Sequence, residues 1–232
     1  MRDTSIDLIK KIISYDTTSR NSNLELIHFI RDYLKDLGIE SLLVHDDAGT
    51  KANLYATLGP ADRPGILLSG HTDVVPIDGQ DWHTDPFNVV EKDAKLFGRG
   101  TCDMKSFVAI CLAYAPKFLE RGLKIPIHFA FSHDEEVGCV GVRTLIAKLA
   151  NEIQPKPMMC IVGEPTLMQV IIGHKGKMSY QCHVRGLEAH SSLAPQGVNA
   201  VEYAAELIAY LKGMARRIQQ EGPFDDLYDI NH

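Results

Sequence analysis

An α/β fold, with a sheet covered by helices on both faces, is what this sequence predicts, and three observations predict it. Two segments near the N-terminus carry apolar residues at helical spacing, short apolar runs at 39–44, 53–58 and 66–70 read as strands, and from residue 66 onward strands and helices alternate.

Taken in order, Thr4 with Asp7 three residues on makes a capping box, and Leu8, Ile9, Ile12 and Ile13 extend one apolar helical face to about Tyr15. Asn23 can cap a second helix, whose Leu26, Ile27, Ile30 and Leu34 share a face, and Gly38 is placed to end it. Strands at 39–44 and 53–58 are separated by the turn-rich Asp46-Asp47-Ala48-Gly49. A loop at 60–65 then enters Ile66-Leu67-Leu68-Ser69-Gly70-His71-Thr72-Asp73, a buried strand with a histidine and a carboxylate just past its end. Residues 74–87 form a long polar and aromatic loop, of a length more often functional than decorative. Gly98 and Gly100 let the chain turn tightly around Arg99, so that Asp103 emerges at the start of a helix over 106–121. A strand at 126–132 runs into His133-Asp134-Glu135-Glu136, a helix follows at 142–151, and a strand at 158–162 delivers Gly163-Glu164-Pro165-Thr166. From about Met178 the pattern changes. Tyr180, Cys182 and Val184 alternate as a strand, and Val198, Val201, Ala205, Ile208, Leu211 and Ile218 mark a long amphipathic helix, so a first domain at 1–177 and a second at 178–232 are expected.

Composition narrows the function classes. With 232 residues, 45% hydrophobic and 23% charged, the chain can bury a substantial core. A net charge of −6 argues against nucleic acid as a partner, which calls for a basic surface. No apolar run approaches the roughly 18 residues of a membrane span, and Met1-Arg2-Asp3 opens directly into a capped helix, so neither a membrane nor a secretory signal is expected and the protein is expected in the cytoplasm. Five scattered cysteines without a Cys-x-x-Cys pair suit reduced, mostly buried thiols.

The chemistry lies at the element ends. Alternation puts His71 and Asp73 on one side of an extended segment, where one can bind a metal through a ring nitrogen and the other can accept the remaining ring N–H. Alone, Asp103 reads equally well as the acidic residue favoured at a helix N-terminus, and Glu135-Glu136 as a solvated turn. The set is what counts. His71, Asp73, Asp103, Glu135, Glu136 and Glu164 each stand at a strand exit or a helix entry, where ligands bind in open α/β sheets. One imidazole and several carboxylates without a thiolate suit zinc, cobalt or manganese, and with a bridging carboxylate they can support two ions about 3.5–4 Å apart. A metal-free carboxylate pair of the glycosidase kind would leave His71 and Asp73 without a task.

Four ordered motifs carry a resemblance to a known family. Gly70-His71-Thr72-Asp73-Val74-Val75-Pro76, Gly98-Arg99-Gly100-x-x-Asp103-Met104-Lys105, Asp134-Glu135-Glu136-x-Gly138 and Gly163-Glu164-Pro165-Thr166 resemble the M20 family of dinuclear zinc amidohydrolases and peptidases. The resemblance implies a zinc-exopeptidase-like mixed sheet carrying an inserted α+β lid and dimerisation domain. It implies that His71 and Glu164 bind one Zn2+, Glu136 the second, and Asp103 both, with Co2+ as the alternative ion. Asp73 would orient His71, Glu135 would be the general base, and a cis peptide would follow Asp103. His190, in His190-Ser191-Ser192-x-Ala194-Pro195, matches a lid histidine that hydrogen-bonds the developing oxyanion, often across a homodimer. Further runs, among them Asp78-Gly79-Gln80-Asp81-Trp82 and Glu136-Val137-Gly138-Cys139, resemble the subgroup that removes acetyl from N2-acetyl-L-ornithine in arginine biosynthesis. They are less similar to the desuccinylases and aminoacylases, which remain the alternatives for this small-molecule N-acyl amino acid substrate. The family pattern continues past His232 with more lid and a last histidine ligand, so the resemblance also leaves open a metal-binding remnant without turnover.

Overall fold

A computed structural model describes residues 4–232; Met1-Arg2-Asp3, read above as the lead into the first helix, lie outside the described residues. The chain folds as two units, one ending at Ile171 and the other spanning Ile172–His232, so the division falls a little before the boundary drawn from the sequence.

The first unit opens with α1 (Ser5–Ile13), whose Thr4 cap and Asp7 form the expected capping box in both directions. Next comes α2 (Leu24–Asp36), ended as expected at Gly38, where the backbone takes φ 76° and Ile39 N–H reaches back to Leu34 O. Asn23 does not cap it. Its amide donates to Ala52 O and Thr72 Oγ1, both at 2.9 Å, and its oxygen accepts from Ala52 N–H, while Ser22 Oγ accepts from Leu24 N–H instead. A long-range demand on the side chain displaced the local one.

Strands β1 (Ser41–His45), β2 (Ala52–Leu58) and β3 (Ile66–His71) follow. The expected irregular loop comes next, and after it an unexpected hairpin of β4 (Val90–Lys92) and β5 (Lys95–Phe97). Its turn residues Asp93 and Ala94 both have positive φ, a conformation usually announced by Asn-Gly or Asp-Gly, so the sequence carried no signal for it. Then come α3 (Lys105–Glu120), β6 (Ile127–Ser132), α4 (Val142–Glu152) and β7 (Met159–Val162).

The main sheet runs β1-β2-β6-β3-β7. β1, β2 and β6 pair antiparallel, whereas β6, β3 and β7 pair parallel. Alternation along the strands divides the core as expected. Leu54, Leu58, Phe129 and Phe131 pack with α1, α2 and α3 on one face, and Tyr55 and Ala130 pack with Leu145 of α4 on the other. At about 1.5–3 kcal/mol per fully buried large apolar side chain, the three-helix face carries most of the stabilisation. Strand β7 is last in the sheet order and all four of its residues are exposed. The cysteines differ from expectation: only Cys111 is buried, and Cys102, Cys139, Cys160 and Cys182 are exposed free thiols.

The second unit holds a short 3-10 turn at Ser191–Gln196 and α5 (Ala200–Glu221), capped by Asn199, whose side chain accepts from Val201 N–H. The strand expected at 180–184 is not formed. Alternation needs a hydrogen-bonded neighbour to become a ladder, and the pairing found in this unit is an isolated bridge between Leu187 and Val198. Among the described residues no helix is long and apolar enough to cross a membrane.

Candidate metal centre

Because β3, β6 and β7 are parallel, their carboxyl ends open on the same edge of the sheet. His71 is the last residue of β3, Glu135 and Glu136 lie in the turn after β6, and Glu164 follows β7 by two residues. Asp103 arrives from another direction, two residues before α3. The Asp103–Met104 peptide is cis, as the family resemblance implied. Met104 is fully buried, with its sulfur 3.3 Å from His71 N–H.

These groups converge on one ring nitrogen. His71 Nε2 lies 2.9 Å from Asp103 Oδ1, 3.7 Å from Glu164 Oε1 and 3.8 Å from Glu135 Oε2. The other nitrogen, Nδ1, donates to the Asp73 carbonyl at 2.9 Å and stands 3.5 Å from its carboxylate. A carbonyl can only accept, so Nδ1 keeps its proton and Nε2 is the atom free for a metal. Among the described residues, two sets of three have donor atoms close enough to hold one ion: His71 with Glu135 and Glu164, and His71 with Asp103 and Glu136. The adjacent glutamates thus fall in different sets, which the turn permits and a regular strand would not. Glu135, expected as the base, stands among possible ligands as well.

Burial sorts the members. His71 and Asp73 are 2% exposed, whereas the side chains of Asp103, Glu135 and Glu164 keep 49%, 36% and 38% of their surface. The cluster therefore has a buried floor and a rim that solvent reaches. Burial opposes charge on the His71 ring, but the hydrogen bond and charge of Asp73 and the charge of Glu164 outweigh it and hold the ring protonated up to about 9. Burial raises the Glu136 carboxyl, and the charge of Asp103 raises it further; burial likewise raises Glu164, with His71 opposing and Asp103 and Glu135 adding. Burial pushes the Asp73 carboxyl up too, but hydrogen bonds from His71, Ser19 and Glu135 N–H prevail and hold it below its ordinary value. Crowded anions around a charged imidazole are what a divalent cation would relieve.

Asp73 also fixes the turn. Its Oδ1 accepts from Glu135 N–H at 3.1 Å, and its Oδ2 accepts from Glu136 N–H at 3.2 Å and from Ser19 Oγ at 2.8 Å. Ser19 belongs to the segment after α1, which runs beside 72–74: Thr17 Oγ1 donates to Thr72 O, and Ser19 N–H to Val74 O. Sequence reasoning did not find Ser19, because nothing local marks it. Lys105, behind Asp103, is fully buried and donates to Tyr15 O at 2.7 Å; burial lowers its ammonium to about 7, against the charge of Asp16.

His190 belongs to the second unit. It caps the 3-10 turn, its Nδ1 accepting from Ser192 N–H at 3.2 Å, and it is exposed.

Sequence comparison is specific about ancestry. The model of Peptidase family M20/M25/M40 matches residues 67–226. The chain belongs to this family. Acetylornithine deacetylase from Proteus mirabilis (strain HI4320) is 37% identical over 224 residues, covering 93% of this chain and 56% of that protein. The Shigella sonnei (strain Ss046) acetylornithine deacetylase is 38% identical over 192 residues, covering 82% and 49%. The M20/M25/M40 chain described here thus spans about half the length of the curated relatives it matches. Among solved structures, human carnosine dipeptidase 1 superposes with a TM-score of 0.60 at 25% identity, over 68% of this chain and 37% of that one. The Sulfolobus solfataricus M20 metallo-carboxypeptidase Sso-CP2 gives 0.61 at 21% identity, over 69% and 37%, a likeness of fold. Family membership implies a divalent metal, and one imidazole with four carboxylates is a donor set that fits it.

Proposed function

We propose that this M20/M25/M40 chain is the metal-binding part of an amidohydrolase that removes the acetyl group from N2-acetyl-L-ornithine, giving L-ornithine and acetate. The observation that carries the reading is the convergence of Asp103, Glu135 and Glu164 within 4 Å of one buried histidine nitrogen. The acyl group and amine come from the names of the relatives that match over most of this chain.

In this reading His71 and Glu164 would hold one ion and Glu136 the other, with Asp103 contributing to both. Zinc is the native metal and cobalt an acceptable substitute. When bound, the ions supply Lewis acidity, lowering the pKa of the attacking water and polarising the amide carbonyl. Glu135 is the general base. Its carboxylate is partly exposed, 3.8 Å from His71 Nε2, and carried on a turn whose backbone Asp73 pins. It takes the proton of the water and returns it to the nitrogen that leaves. Asp73 keeps the His71 ring turned so that Nε2 faces the carboxylates. Residues 178–232 begin a lid through which two copies pair, and His190 donates from that lid to the oxyanion. Neither nucleic acid nor membrane takes part, and the protein works in the cytoplasm.

Ornithine release by metal-loaded protein, measured before and after chelation, tests the reading. Activity is expected to vanish on chelation and return with Zn2+ or Co2+. Glu135→Gln is expected to lower kcat by about 10²–10⁴ while still binding metal. Metal-loaded protein idle on N2-acetyl-L-ornithine but active on succinyl-diaminopimelate would overturn the choice of substrate.

A further inference from the structure

Lys51, the residue before β2, is not part of any motif quoted above, yet it joins two segments that meet at the centre. Its Nζ donates to Ser19 O at 2.6 Å and to Asp134 Oδ1 at 2.5 Å, and both members of the ion pair are largely buried, at 16% and 15% side-chain exposure. Asp134 stands directly before the glutamate pair, with φ 55°, a left-handed conformation that a non-glycine residue keeps only when its surroundings hold it. Its second oxygen, Oδ2, accepts from His133 Nδ1 at 3.0 Å, so both oxygens are engaged. Ser19, on the other side of Lys51, gives its hydroxyl to Asp73, and Asp73 receives the backbone N–H groups of Glu135 and Glu136. A closed circuit results: one ammonium holds the residue before the turn and the segment that supports the turn's anchor.

We infer that Lys51 is a positioning residue for the metal centre, setting the turn that carries Glu135 and Glu136 through Asp134 on one side and Ser19 on the other. Its hydrogen-bonded partners, Ser19 O and Asp134 Oδ1, are not among the candidate ligands. The turn carries Glu136, a candidate ligand, beside Glu135, the candidate base, so a displaced turn weakens ion binding and misplaces the base. A surface ion pair contributes little; this one is sheltered, and Ser19 O on one side and His133 Nδ1 on the other fix its geometry. The inference rests on the proposed metal centre and not on the identity of the substrate.

The test uses Lys51→Met, which keeps the stem and removes the charge, beside Lys51→Arg, with Lys148→Met as a control that breaks the exposed Lys148–Glu152 pair on α4. Co2+ affinity is measured by titration calorimetry and the ligand-field spectrum of the bound ion is recorded, both on chains shown folded by their melting curves. Lys51→Met is expected to bind Co2+ about 10- to 100-fold more weakly, with an altered spectrum, as loss of a ligand-orienting group does. Lys51→Arg recovers most of the affinity, and Lys148→Met matches the unsubstituted chain. Where ornithine release is measurable, the loss in Lys51→Met falls on kcat rather than KM. A Lys51→Met chain that melts lower but binds Co2+ with unchanged affinity and spectrum would make Lys51 a stabilising contact only and overturn the inference. So would failure of Lys51→Arg to recover affinity while remaining folded. Absence of Co2+ uptake by the unsubstituted chain would overturn the metal centre itself, whereas normal Co2+ behaviour without ornithine release would sink the substrate and leave Lys51 in place.

Discussion

Asp73 accepts hydrogen bonds from Ser19 Oγ, Glu135 N–H and Glu136 N–H while its own carbonyl takes the His71 ring proton. One buried residue thus sets the ring and the glutamate turn together. Asp73→Ala leaves two backbone donors and a hydroxyl without their acceptor, at about 1–3 kcal/mol for each that water cannot reach. It should also weaken Co2+ binding about 10- to 100-fold; retained affinity in a titration would contradict the linkage. The His71 ring gives a second expectation. It stays protonated up to about 9, and a metal requires it neutral, so ion uptake near neutral pH must expel a proton. Calorimetric heats in buffers of different ionisation enthalpy should differ accordingly, and equal heats would refute it. The same shift sets a pH window without metal. A raised ring contributes stability that is complete below its ordinary value of about 6.5 and disappears as pH climbs through about 9. Most of these groups were legible in the sequence, since His71, Glu135, Glu136 and Glu164 sit at strand exits and Asp103 at a helix entry. Ser19 and Lys51 were not, because they act on residues 54 and 83 positions away, and single-sequence patterns report only near neighbours.

Elements deliver those side chains through close approaches that the sequence marks with glycine. A Cβ placed on Gly163 would run into the ring of Phe107 on α3, and one on Gly70 would lie 2.9 Å from Met104 Cε. Both glycines sit beside a candidate ligand, so side chains at the start of α3 and just before it pack directly on the backbone at the end of β3 and just past β7. Gly163→Ala should therefore cost about 1–3 kcal/mol through overpacking and shift Glu164, weakening Co2+ binding. Pairing it with Phe107→Ala should restore the affinity; if the double variant binds no better than Gly163→Ala alone, the approach of α3 is not what constrains Glu164. Helices and strands with a strong apolar period were readable within a residue or two of their ends. What the period could not supply was partnership. Residues 180–184 alternate yet join no strand among the described residues, Asp93-Ala94 turns a hairpin without the glycine that usually marks it, and Asn23, a good cap by type, binds Ala52 and Thr72 instead. The strand order β1-β2-β6-β3-β7 was equally out of reach, being set by which faces bury together and not by order along the chain.

Across the molecule, a net charge of −6 is locally concentrated where Asp73, Asp103, Glu135, Glu136 and Glu164 crowd about a single imidazole. Burial first, and the neighbouring like charges after it, raise Glu136 and Glu164, and the ring's own positive charge opposes this only partly. A divalent ion removes that repulsion only in the folded chain, because four segments must meet to form the site. Binding must then stabilise the fold by RT ln(1 + [L]/Kd), about 2.7 kcal/mol at a hundredfold excess over Kd. For a chain of 232 residues that is a rise in Tm of about 5–10 °C. Mg2+, which keeps its waters and prefers all-oxygen shells, should give a smaller rise than Zn2+ or Co2+, which take an imidazole readily. Asp103→Asn removes a charge from the set without changing shape, so it should raise the metal-free Tm slightly while shrinking the ion-induced rise. Scanning both chains with and without Co2+ separates the two effects. Equal rises in Asp103→Asn and the unsubstituted chain would mean that the ion sits elsewhere, and the carboxylate edge of this sheet would lose its claim to the metal.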